Sequence, residues 1–222
     1  MRGRHAVYGV AVAVAAVALI ATSVHGFEVA LEAESGVLTD PMVAAAPADA
    51  AAQGGPEPSA PSGGWFVWAP GAPVTGDPTD HTGGVAITAN IPAVGAYAVW
   101  GSVTAWDGNS DSFWVKIDGS DPDEQPQETQ NTHFRWGVEQ GEDWHWDRIN
   151  QWLDGGTFER EWDLPAGQIT LNIFTRETAC MLDYVLITDN LSEDPADINF
   201  ASPTDVEARG KLTTTWGELR QQ

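Results

Sequence analysis

Residues 164–188 read L-P-A-G-Q-I-T-L-N-I-F-T-R-E-T-A-C-M-L-D-Y-V-L-I-T, and they decide the fold. Ile169, Leu171 and Ile173 alternate with Thr170, Asn172, Phe174 and Arg176. That period of two is the mark of a strand with one face in a core. Pro165-Ala166-Gly167 supplies turn chemistry ahead of it. A polar Arg176-Glu177-Thr178 corner separates it from a second run, 181–188, bounded beyond by Asp189-Asn190. Working outward, runs of the same kind recur at 27–34, 64–68, 85–91, 96–106, 112–118 and 157–164 between Gly, Pro and Asp clusters. Many strands without a long helix predict an all-β chain, an antiparallel jelly-roll β-sandwich.

Two stretches read as long loops. Residues 39–61 are rich in Ala, Pro and Gly and are expected to wrap one face. Residues 119–150 are polar, carry Asp121, Asp123, Glu124 and Glu128 close together, and end in aromatics. Loops of this length in compact β domains often bind ligands.

Each strand can be split into two faces. In 96–106, Tyr97, Val99 and Val103 share one face, and Trp100, Thr104 and Trp106 the other. In 112–118, Phe113, Val115 and Ile117 stand opposite Trp114, Lys116 and Asp118. With Phe174 and Arg176 in 168–176, the same arrangement occurs three times: a large aromatic among polar residues, away from the core. If these strands share a sheet, the aromatics form a platform capped by Arg176. Trp144 and Trp146 alternate along 144–149 and would wall it. Such a surface suits a sugar, whose apolar C–H face stacks on an indole while its hydroxyls meet fixed donors and acceptors. The competing reading is packing, since tryptophan is largely buried on average. Trp65, Trp68 and Trp162 lie in more apolar runs and read as structural.

Three segments together resemble the carbohydrate-binding modules of families 6 and 35, within the galactose-binding-like β-sandwiches. They are Leu31-Glu32-Ala33-Glu34-Ser35-Gly36, the run Asp111-Ser112-Phe113-Trp114-Val115-Lys116-Ile117-Asp118-Gly119, and the pattern L-x-x-G-x-[I for the usual H]-x-L … R-E … L-D-x-[apolar]-x-[apolar]-T over 164–188. The resemblance covers roughly residues 27–190 and lapses in 119–150. It implies a structural calcium ion held by Glu32, Glu34 and Asp183. The chemistry agrees, because calcium takes six to eight oxygen ligands, and Asp183 beside core residues needs a partner. The alternative is a pair of solvated acids with Asp183 hydrogen-bonded to backbone. Taken with the two-face reading, the expected function is a non-catalytic binding protein for polysaccharide, with Trp100, Trp106, Trp114, Trp144, Trp146 and Arg176 as the ligand-contacting residues.

Composition narrows the partners. The chain has 222 residues, 32 Asp and Glu against 10 Lys and Arg, and a formal net charge of -22. So acidic a surface repels phosphate, which disfavours nucleic acid and anionic lipid. The single Cys180 makes no internal disulfide. Residues 1–26 have a basic start with Arg2 and Arg4, an uncharged apolar stretch over 6–22, and small residues before Phe27. They read as a secretory signal cleaved to leave a secreted, periplasmic or cell-surface protein without a membrane anchor. The stretch sits at the lower edge of a bilayer span, so a retained anchor is the competing reading. Residues 191–222 form a polar tail in which Leu212, Trp216 and Leu219 fall at helical spacing, a candidate dock for a protein partner. That keeps an extracellular assembly or adhesion module as the alternative function. A polysaccharide lyase or hydrolase ranks lower, because no H-E-x-x-H, no G-x-S-x-G and no phosphate-binding loop occurs.

Overall fold

The computed structural model describes residues 26–72, 83–119, 129–130, 133–149, 151–153, 156–158, 160–192 and 195. The expected signal segment and nearly all of the C-terminal tail lie outside the described residues, as does the acidic stretch from Asp121 to Glu128. In chain order the elements are β1 (Glu28–Glu32), a 3-10 turn (Ala33–Ser35), β2 (Val37–Thr39), β3 (Val43–Ala45) and α1 (Pro47–Ala52). A second 3-10 turn (Ser62–Gly64), β4 (Phe66–Trp68), β5 (Gly84–Ile91), β6 (Gly95–Ala105) and β7 (Ser112–Ile117) follow. Then come β8 (Thr129–Gln130), β9 (His133–Gly137), β10 (Gly141–Arg148), β11 (Gln151–Leu153) and β12 (Gly156–Phe158). The last three are β13 (Trp162–Leu164), β14 (Gly167–Thr175) and β15 (Met181–Thr188).

Two antiparallel sheets face each other. The first runs β10-β6-β15-β4-β3, with β1 also on β15 and β13 also on β6; the second runs β2-β5-β14-β7-β9-β8. The strand β6 belongs to one sheet and β7 to the other, and the same crossing is made from β9 to β10 and from β14 to β15. This is the jelly-roll β-sandwich that the alternating pattern predicts. Its core takes the inward residues of both sheets: Val99, Val103, Val185 and Ile187 from one, Ile87, Val115, Leu171 and Ile173 from the other. Trp136 reaches across between the layers. A Cβ on Gly101 would stand 2.3 Å from its ring, so only glycine lets β6 pass.

Both expected loops carry structure. Within 39–61, β3 pairs with β4 and α1 packs its Ala50 against Phe66, Trp68 and Met181 on the outer face of the first sheet. The segment does wrap a face, as an ordered cover rather than an open loop. Within 119–150, β9 joins the second sheet and β10 the first. The run 157–164 splits into β12 and β13, and β1 ends at Glu32, so Glu34 lies in the 3-10 turn.

Candidate functional site

The carboxylates Glu32, Glu34 and Asp183 come together around the Ser62–Gly64 turn. Asp183 falls where the register of β15 on β6 slips between Leu182 and Tyr184, a bulge that re-aims one side chain. Its Oδ2 accepts the Ser62 N–H at 3.0 Å. The Ser62 hydroxyl donates to Glu32 Oε1 at 3.2 Å, Tyr184 Oη donates to the same oxygen at 2.7 Å, and the two hydroxyls touch each other. Gly63, at φ +59°, lies beside the acids, where a Cβ would be in ordinary contact at 3.6 Å from Glu34 Oε1 and 3.8 Å from Glu32 Oε1. The remaining oxygens, Glu32 Oε2, Glu34 Oε2 and Asp183 Oδ1, are buried with no hydrogen-bond partner.

The electrostatics follow. Burial pushes the Asp183 carboxyl up to about 8, and Glu32 and Glu34 add to the rise against the Ser62 N–H. Burial also raises Glu34, with Glu32 contributing. Unpaired buried carboxylates are costly, and one orphan oxygen from each of three acids is the donor chemistry of a hard cation. Among the described residues no group of three or more Asp, Glu, His or Cys is placed, as it stands, to hold a metal ion. Glu32 and Asp183 each commit one oxygen to Ser62, which leaves three oxygens of the type a hard cation takes, a partial donor set that a cation could use only with further oxygen ligands.

The aromatic residues do not form one platform. Trp100 lies on β6 in the first sheet, whereas Trp114 on β7 lies in the second. The two indoles therefore stand on opposite outer faces of the sandwich. Trp114 is 3% exposed. It sits in register between Phe174 and Arg135, with the Arg176 guanidinium 5.9 Å from its ring. Arg176, also 3% exposed, donates to Ser112 Oγ at 2.5 Å and pairs with Glu177 Oε1. Glu177 Oε2 accepts from Ser112 Oγ at 2.6 Å and from the Asp111 N–H at 3.0 Å. Neither Trp114 nor Arg176 is available as a surface contact. Alternation tells which residues leave the core, but not which sheet they leave from.

The other four are half-buried. Trp146, Ser102 and Tyr184 are register partners across β10, β6 and β15, and the two rings stack at 6.5 Å and 24°. Trp144 packs on Phe66 and donates from Nε1 to the Ser59 carbonyl at 2.8 Å, so it joins the ordered cover. Trp100 lies under Arg148, whose guanidinium is 5.6 Å from its ring. Trp106 stands in the turn after β6, with its backbone N–H donating to Ser110 Oγ at 3.1 Å and its indole Nε1 buried without a partner. Trp68 and Trp162 are fully buried, as expected, but Trp65 is 47% exposed. Its apolar run belongs to β4, which begins one residue later at Phe66.

At the end where β6 crosses to β7 and β9 to β10 there is a cleft of about 460 Å³. Asp111, Arg135, Glu139 and Asp147 line it, with Gly108 and Gly137 at its edge. Asp147 is held by Trp136 Nε1 and the Glu139 N–H, both at 2.7 Å, while burial raises its carboxyl above the usual range. Both ring nitrogens of His145 lie on backbone carbonyls, Glu139 at 2.8 Å and Asp143 at 2.9 Å. That ring braces the β9–β10 connection. Cys180 is fully buried, and burial pushes its thiol well up, away from the thiolate a nucleophile needs.

No protein-family model and no curated protein matches this chain. It is similar in structure to carbohydrate-binding modules of families 6 and 35. The GH26-CBM35 β-(1,4)-mannanase of Podospora anserina matches at 14% identity and a TM-score of 0.46, over 72% of this chain and 27% of that one. A family 35 module from Clostridium thermocellum matches at 14% identity and 0.45, over 71% of this chain and 96% of the module. The C-terminal CBM6 of LamC, a marine laminarinase from Zobellia galactanivorans, matches at 14% identity and 0.44, over 73% and 99%. The chain thus spans about a quarter of the mannanase chain and nearly all of each separate module.

Proposed function

We propose that this protein is an exported, non-catalytic carbohydrate-binding module that holds polysaccharide on the outer face of its first sheet. The observation that carries the reading is the Trp146–Tyr184 pair. Two rings stack in register across three strands, and the Tyr184 hydroxyl is fixed by Ser62 and Glu32. A pyranose presents one apolar face to such rings. The fixed aromatic costs little ordering on binding. Trp100 and Trp144 flank this strip, and Trp106 stands at the crossing end beside the acidic cleft. Glu32, Glu34 and Asp183 hold a structural calcium, which supplies the positive charge their orphan oxygens want. The acidic surface favours neutral glycans over polyanions.

The test is retention of residues 27–222 on β-1,4-mannan, β-1,3-galactan and cellulose in calcium buffer. Saturable retention on one of them, lowered about tenfold by Trp146→Ala, is expected; a tenfold change corresponds to about 1.4 kcal/mol, the scale of a good aromatic contact. Equal retention of both proteins removes the Trp146 strip as the site. Release of reducing ends or unsaturated products would make the protein an enzyme instead.

A further inference from the structure

We infer that Trp65, exposed at the start of β4, is a second glycan-stacking residue, and that the cation site sets its position through the Ser62–Gly64 turn. The inference rests on the carbohydrate-binding reading above and names a residue and a linkage that reading does not contain. Among the residues whose side-chain exposure is described, Val37, Trp65 and Val94 are the large hydrophobics left exposed, and Trp65 is the aromatic one of the three. An exposed indole on a slack loop would mean little. This one is braced on both sides.

Behind it, the Trp65 N–H bonds the Ser62 carbonyl at 3.2 Å, and the Gly64 N–H bonds that of Pro61 at 3.3 Å. Ahead of it, Phe66, Val67 and Trp68 are fully buried. Gly63 and Gly64 take φ of +59° and +84° in succession, a shape that two L-residues rarely hold. The turn is tied to the carboxylates at both donor groups of Ser62, one on Asp183 and one on Glu32. Ser62 also touches Tyr184, which stacks on Trp146. A connected path therefore runs from Trp146 through Tyr184 and Ser62 to Trp65, with the acids beneath the turn. A cation drawing in the three carboxylates fixes Ser62 and hence the backbone that carries Trp65. Without it, the turn is held to the acids by those two hydrogen bonds alone.

The experiment compares wild type and Trp65→Ala, each with calcium and with EDTA, on the three polysaccharides named above, with amide hydrogen exchange of residues 62–65 read in parallel. In calcium, Trp65→Ala should lower retention about tenfold with a melting temperature close to wild type. Wild-type retention should fall by a similar factor in EDTA, and most of that calcium dependence should vanish in Trp65→Ala. Exchange of the turn amides should slow on adding calcium in both proteins. Trp65→Ala retained as well as wild type, with the same calcium dependence, overturns the inference and leaves the carbohydrate reading intact. Turn amides indifferent to calcium overturn the linkage. A wild type retained by none of the three polysaccharides is a separate result that removes the underlying reading and the inference with it.

Discussion

Two acid clusters draw on the β14–β15 segment, one through Glu177 and one through Asp183, and they are solved in different ways. At the β14–β15 corner, Glu177 faces the Arg176 guanidinium, the Ser112 hydroxyl and the Asp111 N–H. Its charge is answered from within the protein. At the bulge of β15, Asp183 faces Glu32 and Glu34, both negative, and each acid keeps one buried oxygen without a partner. Burial raises the carboxyls in both places, yet only the first carries its own counter-charge. The first corner answers its buried carboxylate with arginine, whereas the second leaves one oxygen of each of three acids without a partner, and the calcium proposed above would supply the missing positive charge. Breaking one cluster should therefore cost stability under all conditions. Breaking the other should cost stability only when calcium is present.

The largest effect belongs to Arg176→Met. Removing one partner of a buried pair strands the other and costs roughly 3–5 kcal/mol. For a domain of this size that lowers the melting temperature by roughly 6–20 °C. The deficit should be the same in calcium and in EDTA, and Arg176→Met with Glu177→Gln should recover part of it. Equal melting of Arg176→Met and wild type would dissolve the contrast between the clusters.

Calcium should come next. A ligand at a hundred times its Kd adds about 2.7 kcal/mol, so calcium should raise the wild-type melting temperature by roughly 5–10 °C. Asp183→Asn sharpens the point, because it replaces a carboxyl that burial pushes up to about 8 in the metal-free protein with an amide that never ionises. It should melt higher than wild type in EDTA while losing most of the calcium response. A wild-type melt unmoved by calcium would return the acids to a purely polar role.

The sequence carried this contrast only in part. The strands β14 and β15 were plain, because Ile169, Leu171 and Ile173 face the core and their neighbours do not. The strand β10 was not, because it lies at a sheet edge and its pattern is inverted: Trp144 and Trp146 point outward, while inward-facing Asp147 bonds the indole of Trp136. α1 hid in an Ala-Pro stretch that reads as loop. Glu32, Glu34 and Asp183 were legible from the family-like motifs. Their meeting depends on a 3-10 turn and a strand bulge, neither of which alternation announces. The single platform failed for a reason of topology. β6 and β7 are consecutive in the chain but lie in opposite sheets, so adjacency in sequence put Trp100 and Trp114 on opposite sides. Trp65 was obscured by the buried strand that starts beside it.

The smallest effect, and the one most specific to the bulge, is the pH dependence of the calcium response. In the metal-free protein the Asp183 carboxyl releases its proton near 8, whereas an unfolded aspartate does so near 4. Between these values the folded chain holds a proton that the unfolded chain has lost, so stability falls as pH rises through that window. The loss is complete above about pH 8. In EDTA, wild type should therefore lose melting temperature between pH 5 and 8 relative to Asp183→Asn, which has no proton to lose at that position and shares every other titrating group. Calcium competes with the same proton, so its stabilisation of wild type should grow across the same interval. Glu177 is also raised by burial, but it contributes equally to both proteins and cancels in the difference. A calcium shift of the same size at pH 5.5 and pH 8.5 would mean that the metal does not displace a proton from Asp183, and that the cation sits on Glu32 and Glu34 alone.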